Sequence, residues 1–361
     1  MQNPVTYSPS VETLMEDETE TIAGLKDTLT DIMDITSENG GHAIRSVHAK
    51  SHGIIQGTLD IIPDLPSEYA QGLFASPGTH PAVLRISTNP GDILHDKISL
   101  PRGLALKVLK VEGPRLTGSE GNCQDFVMIN GPAFAAPDPK AFLGSLKLLA
   151  KTTDRVEWAK KAASAVLRGV NKALHAVGTE SATVELMGGA PNVHPLGETY
   201  YSQTPYRFGD YIAKFSLAPS SDTLRHLTGE IIDASDRHDA IREEVARDAQ
   251  KGPMVWQLRV QLCRDLKTMP IEDATVVWDE EVSPFVTVAT LTAGSQTGWS
   301  EARADTVDEG MRFSPWTGLA AHQPLGSVNR ARKDSYRTSA DYRARVNGCP
   351  YHEPQSLDLK G

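Results

Sequence analysis

The sequence predicts an α+β protein: an antiparallel β-barrel core with a helical insertion and a C-terminal helix. Three observations predict it. Short runs rich in Val, Ile, Leu and Phe recur between Pro and Gly breaks. After the fourth of these runs an Ala-, Leu- and Lys-rich stretch takes on helical periodicity. Beyond the last run, a basic stretch of helical character stops at Asn347-Gly348. No internal repeat and no linker-like composition divides the chain. The reading is therefore an acidic N-terminal arm over residues 1–25 and a single domain over 26–361.

In order along the chain, "GLKDTLTDIMDIT" (24–36) is amphipathic and reads as a first helix. "GIIQGTLDII" (53–62) reads as a strand. "PAVLRISTN" (81–89), "GLALKVLKVEG" (103–113) and "QDFVMING" (124–131) follow as further short strands. A Pro137-Asp138-Pro139 turn opens the helical insertion, which runs from about Asp138 to Val177. Strand character returns at 206–220 and 254–263, separated by the charged helix candidate "DRHDAIREEVARDAQKG" (236–252), and again at 284–294. Residues 313–326 are irregular, and 327–348 form the terminal helix.

With 361 residues, 39% of them hydrophobic and 23% charged, the chain can bury a substantial core. Its 46 acidic against 36 basic residues give a net charge of −10, which disfavours a nucleic-acid partner. There is no apolar run long enough for an integral membrane segment, and the acidic, polar first residues lack the features of a secretion signal. Cys123, Cys263 and Cys349 are odd in number and widely spaced, without a C-x-x-C pair. The expectation is a cytoplasmic, reducing setting.

The stretch "RSVHAKSHG" holds His48 and His52. As a zinc pair they are weak candidates: the zincin pattern needs Glu directly after the first His, where this chain has Ala49, and strand spacing would separate the two rings. There is no nucleophile elbow, no dinucleotide fingerprint and no phosphate-binding loop. Near the other end, Arg332 and Tyr336 stand four apart on the predicted terminal helix. A guanidinium beside a phenol favours the phenolate, the form of tyrosine that ligates ferric iron. Singly, each residue also has an ordinary reading: His48 a core histidine, Asn122 a turn residue after Gly121, Tyr336 a packed aromatic.

Taken together and in order, "RSVHAKSHG", "VLRIST", "LPRGLALKV", "GNCQDFVMING" and "RKDSY" resemble motifs of the haem catalases over roughly residues 42–340. The resemblance implies haem b with ferric iron as cofactor and hydrogen peroxide or an organic hydroperoxide as substrate, reduced with an unidentified electron donor. It assigns His48 as the distal acid/base residue, Asn122 as the distal amide that orients peroxide, and Ser87 as the group holding the imidazole. Tyr336 is then the proximal iron ligand with Arg332 as its phenolate-stabilising partner, while Arg45 and Arg85 pair with the haem propionates. The physical demands agree, since O–O cleavage needs a ferric centre, an acid/base group within reach of both oxygens and an electron-rich axial ligand.

This chain departs from the longer catalases in several places. It is shorter, so the tetramer interlock is expected to be missing, although a homo-oligomer stays open. Ala135 stands where a distal Phe is expected, next to Phe134. In these respects it resembles the short catalase-related peroxidases, a branch that includes allene oxide synthases acting on fatty acid hydroperoxides. Val47 before His48 matches the catalases, where the synthases carry Thr. The leading expectation is hydroperoxide decomposition or reduction. The alternatives are an enzyme that rearranges organic hydroperoxides and a non-catalytic haem-binding or sensing protein.

Overall fold

A computed structural model of the chain describes residues 2–150 and 191–359. Among the described residues, nine strands form one antiparallel sheet. They are β1 Ser51–Ile61, β2 Thr79–Thr88, β3 Arg102–Leu109, β4 Cys123–Ile129, β5 Tyr200–Tyr201, β6 Tyr206–Phe208, β7 Tyr211–Pro219, β8 Met254–Leu262 and β9 Val286–Ala293. Their order is β5-β4-β3-β2-β1-β9-β8-β7-β6, and β5 also pairs with β7. Eight strands thus close into a barrel, with β6 left as one arm of a hairpin. Closure gives most backbone donors and acceptors a partner and removes open edges.

Period-two alternation fills the barrel. Leu104, Leu106 and Val108 of β3, Phe126 and Met128 of β4, and Phe215 and Leu217 of β7 all join the main core. The Phe126 and Phe215 rings meet edge-on with centroids 4.8 Å apart, a favoured aromatic geometry. Full burial of one such side chain contributes roughly 1.5–3 kcal/mol.

Three helices cover one outer face of the barrel: α1 Glu18–Gly40, α2 Pro139–Ala150 and, after a further helix α3 (Ala240–Asp248) elsewhere, α4 Ser327–Asn347. In α1 the residues Leu25, Leu29, Ile32 and Met33 make a buried stripe at helical spacing. Leu25, Leu29 and Ile32 pack with Leu146 of α2 and Ala331 of α4. Gly41 (φ 65°) and Gly348 (φ 65°) end α1 and α4 in left-handed backbone, a conformation that glycine adopts without a Cβ penalty. No helix among the described residues is long and apolar enough to cross a membrane.

The structure differs from the expectation in three places. The run at 206–220 is not one strand but the β6–β7 hairpin, turned at Gly209 with φ 61°. The two-residue β5, which closes the barrel, is too short to show a period. The first helix begins at Glu18, inside the segment read as an arm. Residues before it are tied to the body: Val5 N–H donates to Cys263 O (2.8 Å), and Arg330 binds Glu12 (2.7 Å) and Glu18 (2.8 Å). Of the helical insertion, α2 is described, while 151–177 lie outside the described residues.

Buried histidines make the fold acid-sensitive. Burial pushes His48 and His322 down to about 3 and holds His52 well below its ordinary value. The unfolded chain protonates these imidazoles near pH ~6.5, whereas in the folded chain His48 and His322 resist until about 3 and His52 is likewise held well below its ordinary value. Their stabilisation is therefore full above that unfolded value and is lost as pH falls. Asp125, pushed up to about 7 by burial, acts in the opposite sense. Burial also lowers His194, so four imidazoles outweigh one carboxyl, and the denaturant midpoint is expected to fall steadily between pH ~6.5 and ~4. Urea unfolding across that range checks this, and a flat or rising midpoint would contradict it.

Candidate functional site

A cavity lies outside the barrel wall, between the outer face of β2–β4 and helices α1, α2 and α4. His48 enters it from the segment before β1. Its backbone is left-handed (φ 56°), its N–H donates to Asn89 O (2.7 Å), and its carbonyl accepts from Arg85 Nη2 (2.9 Å). The Ser87 Oγ lies 3.2 Å from His48 Nδ1, and Nε2 has no hydrogen-bond partner among the described residues. Gly103 of β3 makes room for the ring, since a Cβ there would lie 2.5 Å from His48 Cε1 and Nδ1. Burial first, then the charges of Arg85, Arg332 and Arg45, push the imidazole down to about 3, so it is neutral at physiological pH.

The facing wall is α4. Arg332, Tyr336, Ser339 and Arg343 recur at spacings of three, four and seven and so share the face that lines the cavity. The half-buried Tyr336 hydroxyl has no hydrogen-bond partner among the described residues. Arg332 Nη1 donates to Thr204 Oγ1 (3.2 Å) and Asn329 Oδ1 (3.2 Å), with no hydrogen bond to Tyr336, and its guanidinium lies over the Phe134 ring (5.5 Å).

Five arginines line the cavity: Arg45, Arg85, Arg312, Arg332 and Arg343. No Asp or Glu does so among the described residues. Behind the wall, Asp308 Oδ1 meets Arg45 Nη1 (3.0 Å) and Arg85 Nε (2.5 Å), its Oδ2 accepts from Ser51 Oγ (2.6 Å), and its carbonyl accepts from Arg343 Nη1 (2.7 Å). Burial opposes ionisation of Asp308, but Arg85 and Arg45 prevail and hold its carboxyl below the usual range. Glu309 adds a second negative charge acting on Arg45 and Arg343, and two carboxylates against three guanidiniums still leave positive charge uncompensated, a costly arrangement that an anionic ligand would relieve. The two carboxylates of the haem implied by the sequence motifs would answer this charge.

Of the residues singled out in the sequence, His48, Ser87, Arg45, Arg85, Arg332 and Tyr336 all line this one cavity. Asn122 does not. It is exposed just before β4, and the antiparallel pairing of β3 with β4 explains why: Gly103, beside His48, pairs with Ile129, whereas Cys123 pairs with Leu109. Six residues of strand, about 20 Å, separate Asn122 from the imidazole. Asn130, at the other end of β4, lines the cavity instead; its Oδ1 accepts from Arg102 N (2.8 Å) and its Nδ2 donates to Glu198 (3.1 Å). Arg343 was also missed, although it stands seven residues, two helical turns, after Tyr336. His52 is fully buried against Thr88 (3.1 Å), and no cluster of three or more metal-ligating side chains occurs among the described residues.

No family model and no curated protein matches the sequence. Solved structures do. The chain is similar to a fungal catalase (TM-score 0.60, 18% identity), with 96% of this chain aligned to 65% of that one. The chain has a catalase fold. It is likewise similar to catalase A from Saccharomyces cerevisiae (TM-score 0.58, 18% identity, 95% of this chain and 67% of that one). A bacterial catalase aligns with a TM-score of 0.55 and 18% identity over 99% of this chain and 68% of its own. This catalase-fold chain therefore spans about two thirds of the length of those catalases, and the cavity described above lies on the barrel that the similarity covers.

Proposed function

We propose that the protein binds haem b in this cavity and uses it to decompose or reduce hydroperoxides. The observation that carries the reading is that a neutral, Ser87-held imidazole and a tyrosine hydroxyl line one cavity together with five arginines and, among the described residues, no carboxylate and no hydrogen-bond partner for that hydroxyl. Tyr336 would hold the iron, with Arg332 one helical turn away on the same face of α4. Arg45, Arg85 and Arg343 would hold the propionates. When bound, haem supplies the redox chemistry that breaks the O–O bond.

The chain's own part is proton handling and orientation. With Ser87 accepting from Nδ1–H, His48 presents the Nε2 lone pair to the cavity, takes a proton from the hydroperoxide and returns it to the departing oxygen. The Asn130 amide, fixed by Arg102 and Glu198, orients the substrate in the place assigned from sequence to Asn122. Leu25, Leu29, Phe134, Ala135 and Phe142 make the rest of the lining largely apolar. This favours an organic hydroperoxide over hydrogen peroxide, and it keeps open a rearranging enzyme of the allene oxide synthase type.

Reconstitution with haem, an absorption spectrum, and rapid mixing with hydrogen peroxide and an alkyl hydroperoxide test the reading. The expected result is a high-spin ferric tyrosinate spectrum and faster reaction with the alkyl substrate. An epoxide product in place of an alcohol would select the rearrangement. No haem uptake would overturn the proposal.

A further inference from the structure

Reduction of a hydroperoxide to an alcohol needs two electrons from a donor, and one wall of the cavity leads to a suitable entry point. Arg312, which lines the cavity, donates from Nη1 to the Tyr351 hydroxyl (3.0 Å) and lies over the Tyr351 ring at 4.6 Å. That hydroxyl in turn donates to Asp341 Oδ1 (2.9 Å), an exposed carboxylate on α4. On its other side Arg312 Nε donates to Glu353 (2.9 Å), whose second oxygen binds the fully buried Lys107 (2.7 Å), so the stack is fixed. Tyr351 is half-buried, with part of its side chain open to solvent.

We propose that Tyr351 is a redox relay through which a phenol or aromatic amine at the surface delivers electrons to the cavity; the inference rests on the hydroperoxide reading and deepens it. Oxidation of a phenol proceeds readily only when its proton has somewhere to go. The other tyrosines lack one or another requirement. Tyr206 is buried with no partner for its hydroxyl, and Tyr200 donates to the Pro195 carbonyl (2.8 Å). Tyr342 donates to Asp34 (2.6 Å) but is 8% exposed and packs on Met33 and Ala43. Tyr351 alone joins a carboxylate acceptor, a solvent-facing edge and contact with a cavity-lining side chain among the described residues.

In the step itself, Tyr351 would give one electron toward the cavity, where bound haem and the hydroperoxide would supply the oxidant. Its O–H bond breaks, and the proton passes to Asp341. The positive Arg312 opposes a protonated radical cation, so electron and proton leave together. A surface phenol then returns one electron and one proton. Two such cycles balance the reaction: ROOH + 2 ArOH gives ROH + H2O + 2 ArO•.

The test uses the haem-loaded full chain, cumene hydroperoxide, guaiacol and a nitroso spin trap, with adducts located by peptide mass spectrometry. The expected result is an adduct at Tyr351 that is absent in Tyr351→Phe. That variant should oxidise guaiacol at least tenfold more slowly while the first spectral change on mixing with hydroperoxide stays within twofold of wild type. Asp341→Asn should slow guaiacol oxidation and move its pH profile, and Tyr342→Phe should change neither readout. An adduct confined to other residues, or undiminished guaiacol oxidation in Tyr351→Phe, would overturn the relay. A wild-type protein that takes up haem yet shows no spectral change with hydroperoxide would instead defeat the parent reading, and the relay with it.

Discussion

Replacing Tyr336 by Phe is expected to abolish haem retention and, in whatever fraction still binds, the charge-transfer absorption of a ferric tyrosinate. The substitution removes one oxygen atom from a half-buried side chain whose hydroxyl has no hydrogen-bond partner among the described residues. The haem-free protein should therefore unfold within about 0.5 kcal/mol of wild type. Under the proposed reading haem binding should suffer far more, because the iron would lose its protein ligand; even loss of a ligand's outer partner typically costs roughly 10–100-fold. Haem titration, followed by gel filtration to strip weakly held haem, measures the effect. Arg332→Leu should produce a milder defect, since the cavity loses one of its five arginines but the proposed ligand remains. Tight haem binding with an unchanged spectrum in Tyr336→Phe would remove Tyr336 from the site.

How much of this was legible in the sequence depended on how local each signal was. Period-two strands and the amphipathic stripe of α1 are local and were readable, as was the i, i+4 pair Arg332 and Tyr336 on α4. The barrel's closing strand β5 has two residues and carries no period at all. Asn122, which does not line the cavity, shows the limit most clearly. A short motif match selected Asn122, but what decides proximity to His48 is the register of β3 on β4, which brings the end of β4 to the cavity and sends its start away. The pairing of Arg45 and Arg85 with Asp308 spans sequence separations of 263 and 223 residues, beyond any pattern in a short window. Arg343 was readable in principle, since the helical repeat that joined Arg332 to Tyr336 continues to it.

Replacing His48 by Ala should leave haem binding nearly intact and lower hydroperoxide turnover by about 10²–10⁴-fold, the usual share of a positioned acid/base group. The structure separates the two functions of this position. Arg85 is held by the His48 carbonyl, not the ring, so the arginine cluster that would grip the propionates survives removal of the side chain. What is lost is the Nε2 lone pair, together with the Ser87 contact that fixes it (3.2 Å). His48→Gln isolates the chemistry from the shape, because an amide can still bond Ser87 but cannot take up a proton at neutral pH; it should be nearly as slow as His48→Ala. With the imidazole pushed down to about 3 by burial and the neighbouring arginines, wild-type turnover should show no limb from His48 between pH ~5 and ~8. A fall is expected only as pH approaches that low value, where the ring gains the proton that blocks it. Turnover retained in both variants would mean that the proton moves by another route, and the neutral imidazole over the cavity would then be a packing feature rather than a catalytic one.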